Sequence, residues 1–146
     1  MAKNKKVPYK AKVLKGINKV PQKALILNNG STDDIYPVFS FKYTDSNKWR
    51  LSEWTNIEVD DLFKFFKLME SLTWKQVKMH GGLRYKNIDG HPSINNLEVS
   101  EDVSICEIRI CKVKRIHGFR SGNVFCVIWF DRDHSVCPEG KNRTYG

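Results

Sequence analysis

The sequence has no acidic residue in its first 24 positions, no closely spaced pair of cysteines and no apolar run approaching the length of a membrane span. Each absence excludes something. The longest apolar run, Val124 to Phe130, is far shorter than the roughly 20 residues that cross a bilayer, so no membrane partner is expected. The basic start is not followed by the apolar stretch of a secretory signal, and a cytoplasmic protein is the expectation. Cys106, Cys111, Cys126 and Cys137 form no CxxC pair, the spacing that structural zinc sites usually bring. They read as buried reduced thiols, and neither a metal nor a cofactor is expected. The glycine patterns of phosphate loops, dinucleotide folds and nucleophile elbows are missing as well.

What is present is charge, unevenly placed. The 146 residues carry a net charge of +9. Lys3, Lys5, Lys6, Lys10, Lys12, Lys15, Lys19 and Lys23 put +8 of it into residues 1–24, leaving +1 for the other 122 residues. Pro8, Gly16 and Pro21 interrupt this stretch, and no period runs through it. Self-repulsion and low apolar content predict a flexible basic tail over 1–24, followed by a single α+β domain over 25–146. A tail of this kind suits a polyanion. Nucleic acid is the expected one, bound through Lys3, Lys5, Lys6, Lys10 and Lys12 with little sequence information.

Beyond the tail, periodicity gives the elements. Phe39, Phe41 and Tyr43 alternate, which predicts a strand pairing back on Trp49 to Trp54 as a hairpin. Leu62, Phe65, Phe66, Met69 and Leu72 fall at helical spacing, giving a helix of three to four turns. Thr73 with Gln76 fits a capping box and predicts a second, short helix from Trp74 to about His80, ended by Gly81-Gly82. Residues 83–103 read mainly as loop. Strands follow at about 104–111, 114–120 and 123–130, with Ser121-Gly122 as a tight turn. In that register Arg120 faces Asn123 and His117 faces Cys126. Arg115, His117 and Phe119 then share a face with Val124, Cys126, Ile128 and Phe130, opposite Trp129. The last strand is apolar on both faces and should be covered twice. The sum is a mostly antiparallel sheet with a C-terminal three-stranded meander packed against one long and one short helix.

The polar chemistry concentrates between Arg115 and Pro138. His117 lies among Lys112, Lys114, Arg115 and Arg120, and an imidazole beside cations could move protons while the cations neutralise phosphate. In that reading His117 is acid or base, Arg115 and Arg120 bind phosphate, and Lys112 and Lys114 add affinity. The competing reading is a hydrogen-bonded core histidine. Asp131 and His134 could bind a divalent metal with His80 or His91, or simply hold a turn.

The order of early strands, two helices and a basic meander resembles the RelE/HigB/ParE group of small bacterial toxins over roughly residues 37–138. The block RIHGF, NVFCVIWFD and DH is similar to an ending of small bacterial and phage proteins. The toxin resemblance implies an endoribonuclease working without metal, free or on the ribosome, with Lys112, Lys114, Arg115, His117 and Arg120 as the matching basic set. RNA or the ribosome would be the partner, and an antitoxin or other protein partner would accompany it. Two alternatives stand beside this: a noncatalytic nucleic-acid-binding or interaction module, and a metal-dependent hydrolase.

Overall fold

The computed structural model describes residues 31–94, 97 and 100–138. The basic tail expected over 1–24 lies outside the described residues. The order of elements is β1 (Val38–Ser40), α1 (Asn56–Glu70), α2 (Trp74–Met79), β2 (Lys86–Asn87), β3 (Cys106–Cys111), β4 (Lys114–Ser121) and β5 (Val124–Asp131), with short 3-10 turns at Leu51–Glu53 and Pro92–Ile94. The strands form one sheet in the order β1-β5-β4-β3-β2. Among the described residues, β1 runs parallel to its neighbour, β5, and the other pairs are antiparallel. The fold is α+β, as its periodicities indicate.

Both helices begin on capping boxes. The Thr55 hydroxyl accepts from the Glu58 amide while Glu58 accepts from the Thr55 amide, and Thr73 with Gln76 repeats the arrangement at α2. The α1 stripe Leu62, Phe65 and Met69 is buried and joins Trp54, Trp74, Val77 and Leu83 against Ile108, Ile116, Phe125, Val127 and Phe130 of the sheet. The other sheet face carries Phe119, Cys126, Ile128 and Trp129. It is covered by the chain around Ile88, Val103 and Ile105 and by Val136 and Cys137 beyond β5. β5 is thus covered on both sides, which explains its continuous apolar sequence.

Three sequence expectations are corrected. Residues 38–43 and 49–54 do not form a hairpin: β1 pairs with β5, and Leu51–Glu53 is a 3-10 turn. The chain between them bonds to β5. Thr44 Oγ1 donates to the Val127 carbonyl at 2.7 Å, the Asp45 amide to Ile128 at 2.9 Å, and the Trp49 carbonyl accepts from the Phe130 amide at 2.9 Å.

The β4–β5 turn is Gly122-Asn123, one residue later than expected, because Ser121 pairs with Val124. Gly122 has φ +65°, which a tight primed turn with glycine first requires.

Finally, the register shifts between His117 and Gly118, where β5 carries one extra residue. His117 therefore faces Trp129, not Cys126. The shift moves Trp129 onto the face of His117 and sends Phe130 to the helix side.

Candidate functional site

The bulged register aligns one row of side chains across four strands. Lys86 of β2 pairs with Glu107 of β3, Glu107 with His117 of β4, and His117 with Trp129 of β5. Two residues along, on the same face, Arg115 pairs with Asp131. Glu107 is 2% exposed, Arg115 4%, and His117 and Asp131 are wholly buried. A polar cluster thus sits under the second core layer, where buried charge persists only if it is paired.

Glu107 is its centre. Oε2 lies 3.0 Å from His117 Nε2 and 3.6 Å from His134 Nε2, while Oε1 lies 3.6 Å from Lys86 Nζ and 3.8 Å from Arg115 Nε. Burial pushes the Glu107 carboxyl up, but the His117 hydrogen bond and the His117, Lys86 and His134 charges outweigh it and hold the group below the usual carboxylate range. An ionised carboxylate only accepts, so the shared proton sits on His117 Nε2. His117 Nδ1 has no hydrogen-bond partner among the described residues. Arg115 also donates from Nη1 to the carbonyls of Lys112 (2.7 Å) and Lys114 (3.1 Å).

The turn after β5 completes the cluster. Asp131 Oδ1 accepts from the Ser135 amide (2.9 Å) and hydroxyl (3.2 Å), and Oδ2 from the Val136 amide (2.9 Å). His134 takes φ +59°, a left-handed conformation uncommon outside glycine. Ser93 Oγ donates to the Val136 carbonyl and ties this segment to the covering loop. Cys137 follows, fully buried, and burial pushes its thiol up to about 12. Donor atoms of Glu107, His117 and Cys137 all lie within 4.8 Å of one another. His91 is near enough for the charges of Glu107 and His117 to act on it, although burial is what chiefly lowers its pKa.

The residues singled out in the sequence are divided by this arrangement. Arg115 and His117 share the covered face. Arg120 is on the helix side, with Nη1 3.0 Å from Asp33 Oδ1, Nη2 2.8 Å from Thr32 Oγ1 and its guanidinium 4.3 Å above the Trp74 ring. Lys114 Nζ lies 3.4 Å from Asp61 of α1. Lys112 is exposed in the β3–β4 turn, where it lines an open groove of about 280 Å³ with Arg109, His80 and Gly82. His80 caps α2, its Nδ1 accepting from the Gly82 and Leu83 amides, and stands apart from Asp131 and His134. Lys3, Lys5, Lys6, Lys10 and Lys12 lie outside the described residues.

Sequence reasoning missed Glu107, Lys86 and Cys137 as parts of one centre. A signal existed for Glu107, an acid inside the alternating strand CEIRIC, where a buried carboxylate needs a partner on the next strand.

Comparison with protein-family models, with curated proteins and with solved structures finds no match, so the function is read from the site and the charge alone.

Proposed function

We propose that this chain is a noncatalytic nucleic-acid-binding module whose affinity comes from residues 1–24. The observation that carries the reading is the charge distribution: +8 in an acid-free stretch of 24 residues, against +1 in all the rest. Several cations of the described part are engaged with acids. Lys78 and Arg120 meet Asp33, Arg132 meets Glu58, Arg50 meets Glu53, and Lys86 and Arg115 meet Glu107. Lys112 and Arg109 in the open groove add a place for a phosphate near the β3–β4 turn. The toxin-type endoribonuclease reading has less support, because a substrate phosphate would have to reach an imidazole that is 0% exposed and already held by Glu107.

The test is binding of a labelled single-stranded RNA and a duplex DNA by the full chain and by a variant with Lys3, Lys5, Lys6, Lys10 and Lys12 changed to Gln. If about six lysines meet phosphates, affinity should fall on the order of a thousandfold between 50 and 200 mM salt, and the variant should bind far more weakly with a shallower slope. Equal binding by both proteins overturns the reading. Discrete RNA fragments formed in chelator by the full chain, and lost in His117→Ala, would replace it with the endoribonuclease.

A further inference from the structure

We propose that Glu107, His117 and Cys137 form a binding site for one zinc-class divalent cation that fastens the chain beyond β5 to the sheet. The three donor atoms come from β3, from β4 and from the segment after β5, and lie within 4.8 Å of one another. Tetrahedral zinc with bonds of about 2.0–2.3 Å sets its ligands about 3.4–3.7 Å apart, so side-chain adjustments on the order of 1 Å close the set. The carboxylate atom that serves is Glu107 Oε2, which already faces both imidazoles, 3.0 Å from His117 Nε2 and 3.6 Å from His134 Nε2. Oε1 stays with Lys86 and Arg115.

A second observation points the same way. His117 is wholly buried, and its Nδ1 has no hydrogen-bond partner among the described residues. A side chain placed there only for packing leaves a polar atom unsatisfied at a cost of about 1–3 kcal/mol. Coordination gives the ring a different use: Nε2, which already faces Glu107 Oε2, binds the cation once its proton has moved. A mixed set of imidazole, thiolate and carboxylate suits zinc better than magnesium or calcium, which take oxygen alone. The balance is simple. The cation takes the lone pairs of its ligands; the Cys137 thiol proton leaves to solvent, and the proton on His117 Nε2 passes to Nδ1, so that the ring binds as a neutral imidazole. The Glu107 carboxylate and the Cys137 thiolate together offset the charge of the cation. Ligand separations of 10 and 20 residues along the chain keep this set out of any short spacing motif.

All four cysteines and all four histidines lie among the described residues, so the test can be made unambiguous on the full chain. The chelator-treated protein is titrated with Co²⁺ and then Zn²⁺. One equivalent of Co²⁺ should give a thiolate charge-transfer band and strong tetrahedral d–d absorption, both removed by Zn²⁺. Cys137→Ser should abolish the charge-transfer band and weaken binding by more than the roughly 100-fold that loss of an outer-shell partner can cost. Cys126→Ser, another buried thiol on the same face, should leave both unchanged. X-ray absorption of the zinc-loaded wild type should show one sulfur among nitrogen and oxygen ligands, and decides the matter if Cys137→Ser does not fold. Failure to take up one equivalent, a shell without sulfur or with more than one, or a band that survives in Cys137→Ser overturns the site.

Discussion

His117 and Glu107 face each other across β3 and β4 with 3.0 Å between Nε2 and Oε2, and each is almost completely removed from water. A buried acid of this kind is held by its partners, and its partners are held by it. Removing Glu107 as Ala leaves Arg115 buried beside an uncompensated site, which should cost about 3–5 kcal/mol in urea or thermal unfolding. The pH dependence follows from the direction of its shift. Because the folded-state carboxyl lies below its ordinary value of 4.5, its stabilising contribution is complete above that value and is lost as pH falls through the native one. Stability measured from pH 7 downward should therefore show an acid limb that is shallower in Glu107→Gln.

Gly118 sits at the bulge, and a Cβ built there runs into the backbone carbonyl oxygen of Cys126, with Phe125 Cε2 at 2.9 Å. Backbone on the opposed strand cannot yield as a flexible side chain would. Gly118→Ala should destabilise by about 1–3 kcal/mol or more, whereas Gly81→Ala, which meets nothing within 4 Å, should change stability by no more than about 0.5 kcal/mol. Paired denaturation curves check both.

The two capping boxes should act alike and independently. Thr55→Ala and Thr73→Ala each remove a side-chain acceptor from a helix N-terminus and should each cost about 1 kcal/mol, with Thr→Ser retaining most of it. Chemical denaturation of the single and double variants reads the effects and their additivity.

Arg120 is a structural cation in this fold, joining Asp33, Thr32 and the Trp74 ring. Arg120→Ala should lower stability by about 1–2 kcal/mol, and Arg120→Lys should restore only part, since an ammonium cannot make the planar fork and stack together. RNA affinity of Arg120→Ala at fixed salt should change much less than that of the tail variant.

Helix α1 was legible because Leu62, Phe65 and Met69 repeat at the period that places them on one stripe, and α2 because Thr73 and Gln76 stand at capping distance. The apolar character of β5 likewise announced a strand covered twice. What escaped was pairing. A plain two-residue turn at Lys112-Val113 would set Glu107 opposite Gly118. The shift between Arg109 and Cys111 sets it opposite His117 instead. The second shift, between His117 and Gly118, brings Trp129 to the same row. Neither bulge has a signature in a short window, because the extra residue is chosen by how the opposed strand and its cover pack. The parallel pairing of β1 with β5 is equally nonlocal, joining residues 86 positions apart.

The sequence by itself determined the elements: two capped helices, three closing strands and a near-neutral body behind an acid-free lysine stretch. These are set by contacts a few residues apart and by simple charge, which any reader of the chain can count. Only the tertiary structure decided that His117 meets Glu107 inside the molecule, that Arg120 turns to the opposite face, and that Cys137 returns to the sheet beside them. Those relations depend on strand register, and register is fixed by the packing of both sheet faces at once.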